Sequence, residues 1–274
     1  MHGTGSSDGG DSPAAGARFA RDADPSFRWQ AIGRGWGSDM GSTPSARQLA
    51  RKASSRTRRA LLAPMLRVSN VDDLIRLGSP SCGWWVPERV LRPGAIAYCA
   101  GAGLDISFDL DLHSRGLTVV TIDPTPRSVA YVGGVRPDDD RFHLLPLGLW
   151  NERDELSFYA PSVPSDISHS VLNLQRTEEF FTAPVDSLAG CMARMQHDRV
   201  DLLKVDIEGA ESTVLPDLLE NGPYPVVVCF EYDQPQSIFG LRKLLRQFDS
   251  RGYQLICRER WNFTLLLMRG PSVT

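Results

Sequence analysis

The chain contains 274 residues, of which 42% are hydrophobic and 23% are charged, and its formal net charge is −3 at pH 7. This composition is typical of a soluble globular protein and excludes a fibrous or wholly disordered chain. Residues 1–60 hold ten basic and five acidic residues, whereas residues 61–274 hold 20 basic and 28 acidic ones. The acidic body argues against a nucleic-acid substrate, because a phosphate backbone needs a positively charged surface.

The sequence also gives no indication of a membrane span, a signal peptide or a disulfide framework. The apolar runs fall short of the roughly 20 residues that cross a bilayer, and the N-terminal residues lack the apolar core of a signal peptide. The five cysteines show no CxxC pair and no metal-like spacing, which suits a reducing compartment. We therefore expect a cytoplasmic protein without a membrane span.

Three segments follow one another along the chain. Residues 1–58 are rich in Gly, Ser, Ala and Arg and poor in large aliphatic residues, which predicts a disordered leader. Its basic segment, residues 47–59, is either solvated or contacts an anionic partner. Residues 59–92 are predicted to form a helical cap, because apolar residues recur at helical spacing from Leu61 to Leu77. Residues 93–274 are expected to form the core.

Strand and helix patterns alternate from Ala95 onwards. The predicted strands are residues 95–100, 117–122, 142–147, 155–159, 200–205, 225–230, 253–257 and 263–268, and the predicted helices are 106–114, 210–219 and 238–248. Such alternation favours a mainly parallel sheet with helices on both faces. The last two strands are joined too briefly for a crossover helix and should be antiparallel. The predicted fold is an α/β, Rossmann-like, doubly wound sheet with an antiparallel last strand.

A ligand site is expected beyond the carboxyl ends of the first two core strands. The first ends in Gly101-Ala102-Gly103, where glycines permit a tight turn and close approach of a cofactor. The second ends at Asp123, whose carboxylate can accept hydrogen bonds from both hydroxyls of a ribose; alternatively, Asp123 shapes the turn before Pro124. A nicotinamide cofactor would use similar geometry, but its fingerprint requires glycine where this chain has Ile106.

Charged residues crowd the end of the strand at residues 200–205. Lys204, Asp206 and Glu208 are spaced by two, which places them on one face of a strand, and Glu211 would share a helix face with Glu208. Asp206 could act as a base or bind an acceptor, with Lys204 holding it ionised. The alternatives are a lysine–carboxylate network that stabilises the strand–helix junction, or a divalent-cation site completed by Glu231.

Two segments resemble a known family. The run from Asp201 to Glu211, DLLKVDIEGAE, resembles the D-x-x-K-x-D-x-E-G-x-E signature of FkbM-type methyltransferases, and residues 145–150 and 168–170 are similar to further segments of that family. The resemblance covers Trp84 to Met268. It implies a class I fold, S-adenosylmethionine as cofactor and O-methylation of sugar or natural-product hydroxyls.

The resemblance also implies roles for individual residues. Gly101 and Gly103 would line the methionine part of the cofactor, Asp123 would hold its ribose, and Gly148 would lie beside it. Two positions depart from the usual pattern. Cys99 stands where many methyltransferases have an acidic residue, and Asp105 enters the glycine loop, where it either binds the cofactor's ammonium group or caps the following helix.

The sequence thus predicts a methyltransferase that acts on a small-molecule hydroxyl, and it assigns no metal ligands. The catalytic candidates are Asp206, Glu208, Lys204 and His169, a loop residue of a type that transfers protons near neutrality. Two other functions stay open. One is a non-catalytic, methyltransferase-like protein that binds a partner through its basic leader. The other is a nicotinamide-dependent oxidoreductase.

Overall fold

The computed structural model describes residues 66–162, 168–173, 175–232 and 237–268. All of these residues lie within one compact unit. The predicted leader, residues 1–58, lies outside the described residues, as do residues 59–65 of the predicted cap. Within the described ranges, no helix has the length and apolar character that crossing a membrane requires.

Twelve strands and five α-helices make up the described part of the chain. The strands are β1 (Leu74–Leu77), β2 (Trp84–Pro87), β3 (Ile96–Ala100), β4 (Thr118–Ile122), β5 (Phe142–Leu145), β6 (Gly148–Leu149), β7 (Asp154–Tyr159), β8 (Phe180–Asp186), β9 (Leu202–Val205), β10 (Val227–Glu231), β11 (Tyr253–Glu259) and β12 (Asn262–Leu267). The helices are α1 (Ser107–Ser114), α2 (Pro126–Val135), α3 (Leu188–Met195), α4 (Glu211–Asn221) and α5 (Ile238–Ser250).

Seven of the strands form the central sheet, in the order β11-β12-β10-β9-β3-β4-β5. The five strands from β10 to β5 in this order are parallel, and β12 runs antiparallel to both β10 and β11. This arrangement confirms the predicted Rossmann-like sheet and its antiparallel last strand. It also brings the carboxyl ends of β3, β4 and β9 to one edge.

The central strands are buried on both faces, which explains their unbroken apolar runs. All five residues of β3 are buried, and its alternate side chains enter two different cores. Tyr98 packs on the face that also buries residues of α3, α4 and α5. Cys99 packs on the opposite face with residues of α1 and α2, so this thiol behaves as a small apolar side chain.

The predicted helical cap is wrong over its described residues. Residues 66–73 form no helix, and β1 pairs antiparallel with β2 in a hairpin, which a short 3-10 turn follows at Glu88–Val90. The hairpin turn contains Gly78, whose φ is 84°, and Trp84 is buried in the core beyond it. Pairing between the two strands outweighs the local helical spacing on which the prediction depended.

A second sheet of three strands, in the order β6-β8-β7, follows β5. Phe158, Ala183 and Val185 form its small core. An isolated bridge between Tyr159 and Ser170 attaches the segment 168–173 to this sheet. The sequence pattern predicts β7 but neither this sheet nor α2 and α3. The sheet matters because its residues line one wall of the site.

Candidate active site

A cavity of about 370 Å³ opens at the carboxyl ends of β3, β4 and β9. All nine residues proposed from the sequence line it: Gly101, Gly103, Asp105, Asp123, Gly148, His169, Lys204, Asp206 and Glu208. The structure therefore brings together side chains from segments that are up to about a hundred residues apart. It fixes their location, whereas their roles in binding or catalysis stay predictions.

The glycine loop after β3 is packed against the end of β9. Gly101 has a φ of 84°, and a Cβ atom there would lie 1.7 Å from the carbonyl oxygen of Asp206. The N–H of Asp206 in turn donates to the carbonyl of Ala100 at 3.1 Å. Glycine at position 101 is thus required by the neighbouring strand end, independently of any cofactor.

Asp123 holds the same loop from the end of β4. Its Oδ2 accepts hydrogen bonds from the N–H groups of Ala102 (2.8 Å) and Gly103 (3.2 Å), and its Oδ1 accepts one from Thr125 (2.8 Å). The side chain is buried yet reaches the cavity. Because a carboxylate can accept about four hydrogen bonds, Asp123 shapes the loop and keeps capacity for a ligand hydroxyl.

Asp105 is engaged with the protein itself. Its Oδ1 accepts a hydrogen bond from the N–H of Ser107 at 2.9 Å, and its Oδ2 accepts one from the Ser79 hydroxyl at 2.6 Å. Burial raises the pKa of Asp105, but these hydrogen bonds outweigh burial and hold the pKa below its usual value. Asp105 thus binds the first N–H of α1 from the residue before the N-cap Ile106, and Ser79 is a further partner with no signal in the sequence. Its role in binding the cofactor's ammonium group stays a prediction.

Lys204 is buried between two elements of the site. Its ammonium group donates to the carbonyl oxygen of Gly101 and lies 3.4 Å from Asp206 Oδ2. Burial lowers the pKa of Lys204, but the charges of Asp206 and Asp109 outweigh that effect and raise it. The predicted lysine–carboxylate network is therefore present, and it ties the end of β9 to the glycine loop.

A tight turn links β9 to α4. Glu208 adopts a φ of 56°, which is uncommon for a residue other than glycine, and α4 begins only at Glu211. The predicted helix face shared by Glu208 and Glu211 is therefore wrong. Glu211 is buried and accepts a hydrogen bond from the N–H of Ile207 at 2.8 Å, while the Ser170 hydroxyl donates to the carbonyl of Glu208 at 2.7 Å.

Comparison with known proteins identifies the family. The chain matches the methyltransferase FkbM domain over residues 99–255, which is more than half of its length. The chain belongs to the FkbM methyltransferase family. Among curated proteins, no significant match is found.

Solved structures with a distant resemblance include three proteins. The Methanococcus jannaschii fibrillarin pre-rRNA processing protein shares 11% identity with a TM-score of 0.37, over 65% of this chain and 68% of that one. The C-terminal domain of precorrin-6Y C5,15-methyltransferase from Rhodobacter capsulatus shares 11% identity with a TM-score of 0.33, over 77% of this chain and 86% of that one. A TehB-like SAM-dependent methyltransferase from Corynebacterium glutamicum shares 12% identity with a TM-score of 0.31, over 80% of this chain and 97% of that one. The fold assignment depends on the sheet order and the family match.

The second sheet supplies one wall of the cavity of this FkbM methyltransferase. The imidazole ring of His169 lies edge-on to the ring of Phe181, with centroids 5.1 Å apart. Gly148 allows Phe158 to pack closely, since a Cβ atom there would lie 2.7 Å from Phe158 Cζ. Both His169 and Phe158 face the cavity. This wall combines aromatic surface with a side chain that can accept a proton.

A residue that the sequence analysis missed is Asp109, on α1. Its side chain is buried but lines the cavity, and it accepts a hydrogen bond from the Thr121 hydroxyl at 2.6 Å. Burial raises the pKa of Asp109 to about 6, although the charge of Lys204 opposes this. Asp109 is the acidic residue in the first turn of α1, directly after the glycine loop, and this place beside the predicted ligand site could have indicated it.

Carboxylates dominate the charged groups of the cavity. Among the described lining residues there are five carboxylates and one ammonium group: Asp105, Asp109, Asp123, Asp206, Glu208 and Lys204. Among the described residues, no group of three or more His, Cys, Asp or Glu side chains is placed to hold a metal ion. The divalent-cation alternative, including Glu231, thus gains no support from the geometry.

Proposed function

We propose that this chain is an S-adenosylmethionine-dependent methyltransferase that methylates a hydroxyl of a sugar or small natural product. The observation that carries the cofactor assignment is the excess of carboxylates around the cavity. S-adenosylmethionine bears a sulfonium and an ammonium group against one carboxylate, so its net charge is positive and this wall attracts it. A nicotinamide dinucleotide bears a negative pyrophosphate, which the same wall repels.

The lining residues also suit the shape of the cofactor. The glycine loop lets a ligand approach the backbone after β3, and Asp123 retains capacity to accept a ribose hydroxyl. The ring of Phe158, beside Gly148, offers an apolar face on which an adenine can pack. When bound, the cofactor supplies a methyl group that is activated by a positively charged sulfur.

Methylation of a hydroxyl also requires a base near the acceptor, and side chains that could serve as this base line the same cavity. The protein's own part would be to align the acceptor hydroxyl with the methyl group that the cofactor supplies, and to provide a base that takes up the hydroxyl proton. Asp206 is the leading candidate, because Lys204 holds it beside the glycine loop while 31% of its side chain stays exposed. His169 and Glu208 line the same space and are the other candidates.

The experiment has two stages. Calorimetric titration of the full chain with S-adenosylmethionine and, separately, with NAD⁺ tests the cofactor, and we expect binding of the first alone. Methyl-labelled cofactor is then incubated with a panel of sugars and natural products with and without free hydroxyls, and we expect label only on hydroxyl-bearing members. Binding of NAD⁺ in place of S-adenosylmethionine contradicts the cofactor assignment. Label on nitrogen or carbon contradicts O-methylation, and cofactor binding without any transfer favours a non-catalytic protein.

A further inference from the structure

Asp109 is a buried acid in the wall of the cavity, on the helix that follows the glycine loop. It is 5% exposed and is surrounded by three strands of the central sheet. Thr121 of β4 donates a hydrogen bond to its Oδ1. The thiol of Cys99 on β3, the ammonium group of Lys204 on β9 and a backbone N–H of Asp109 itself also act on the carboxyl group.

The charge of Lys204 acts on Asp109, but the ammonium group of Lys204 is already bound to other partners. Lys204 donates to the carbonyl of Gly101 and pairs with Asp206. Among the described residues, none forms an ion pair with Asp109 within 4.0 Å. A buried carboxylate without an ion pair costs free energy unless a cation reaches it. The cavity therefore presents a buried negative charge to whatever enters it.

We propose that Asp109 binds the positively charged methionine portion of the cofactor, and that its ionisation is coupled to cofactor binding. This inference rests on the proposed function above. Two groups of the cofactor offer the required charge, the sulfonium and the ammonium. A cation beside Asp109 favours the ionised carboxylate, so binding to the protonated form must release a proton.

The surrounding groups make Asp109 the expected source of this proton. Burial raises the pKa of Cys99 well above its usual value, so the thiol stays neutral. The pKa of Lys204 is raised and that of Asp105 is lowered, so both keep their charges near neutrality. Asp206 pairs with Lys204, and His169 lines the same cavity. A His169→Gln variant measures the contribution of that histidine separately.

Calorimetry on the full chain between pH 5 and pH 8, in buffers of different ionisation enthalpy, tests the coupling. For the wild type we expect affinity for S-adenosylmethionine to fall about tenfold from pH 7 to pH 5, with proton release on binding near pH 6. Asp109→Asn should bind about tenfold more weakly at pH 7 and lose this proton release. Asp111→Asn, on the same helix but bonded to the N–H of Gly78, should retain both wild-type properties.

A comparison with S-adenosylhomocysteine, which lacks the sulfonium charge, separates the two sources of charge. Asp109→Asn should weaken S-adenosylmethionine alone if the carboxylate faces the sulfonium, and both ligands equally if it faces the ammonium. Thr121→Val removes the hydrogen bond that favours the ionised form, so the pH midpoint should rise by about half a unit or more. This variant decides the question if Asp109→Asn does not fold.

The two proposals fail in different ways. A wild-type protein that binds no S-adenosylmethionine at any pH contradicts the proposed function. A wild type that binds it while Asp109→Asn shows the same affinity and the same proton release overturns the role of Asp109 alone. An unchanged pH midpoint in Thr121→Val overturns it as well.

Discussion

The ammonium group of Lys204 donates a hydrogen bond to the carbonyl oxygen of Gly101, so that β9 holds the glycine loop that follows β3. Lys204→Met should leave this carbonyl and Asp206 without their partner and lower the free energy of unfolding by about 2–4 kcal/mol. Urea denaturation measures the loss, and calorimetry should show weaker cofactor binding. A variant with unchanged stability would contradict the stabilising role of this lysine–carboxylate network.

The close approach of Gly101 to Asp206 predicts a large difference between two glycine variants. Gly101→Ala combines a positive φ with a Cβ contact of 1.7 Å to a backbone oxygen. Gly94 has a similar φ of 81°, but a Cβ atom there meets nothing within 4 Å. We expect Gly94→Ala to cost about 1–2 kcal/mol and Gly101→Ala at least twice as much, or no folded protein at all. Equal melting temperatures for the two would show that the strand ends separate easily.

Asp123 is expected to act on both the loop and the cofactor. Asp123→Asn turns one acceptor oxygen into a donor that faces N–H groups, so the loop should open and cofactor affinity should fall at least about tenfold. The matched control is Asp186→Asn, a buried aspartate outside the cavity that pairs with Arg194 at 2.9 Å. The control should lose stability but keep its affinity in calorimetry. Comparable affinity losses in both variants would mean that general destabilisation explains the effect.

Ser170 connects the second sheet to the turn that carries Glu208. Ser170→Ala removes the hydroxyl that donates to the carbonyl of Glu208, and the left-handed conformation of Glu208 then loses one of its supports. We expect kcat to fall about three- to thirtyfold with little change in the KM for the cofactor, and stability to fall by about 1 kcal/mol. Ser170→Thr keeps the hydroxyl and should restore most of the activity. A change confined to KM for the cofactor would argue against this positioning role.

The sheet and the location of the site were accessible from the sequence because their signals are local. Apolar runs mark the strands, and the rule that ligands lie at the carboxyl ends brings Gly101, Asp123 and Asp206 to one edge. Contacts between distant segments left no such signal. The Ser79–Asp105 and Ser170–Glu208 hydrogen bonds join residues that are 26 and 38 positions apart.

The backbone conformation of Glu208 and of the β1–β2 segment could not be predicted from the sequence for a related reason. The spacing of Glu208 and Glu211 fits one helix face, but the φ of 56° keeps Glu208 out of the helix, which begins at Glu211. That conformation is held by Ile207–Glu211 and Ser170 contacts, which depend on the assembled fold. The hairpin of β1 and β2 overrides helical spacing in the same way, since its stability comes from pairing and from the burial of Trp84.

The burial of Asp109 also predicts how the stability of the ligand-free protein depends on pH. Burial raises the pKa of Asp109 from 3.8 to about 6, so the folded state binds a proton more tightly than the unfolded state does. This group's contribution to stability is therefore largest below pH 4 and declines as the pH rises from about 4 to about 6. The loss amounts to at most about 3 kcal/mol. Asp109→Asn should lack this decline, so its stability relative to the wild type should improve between pH 4.5 and pH 7.5. Urea denaturation at the two pH values measures the difference, and a constant difference would show that Asp109 does not titrate in this range.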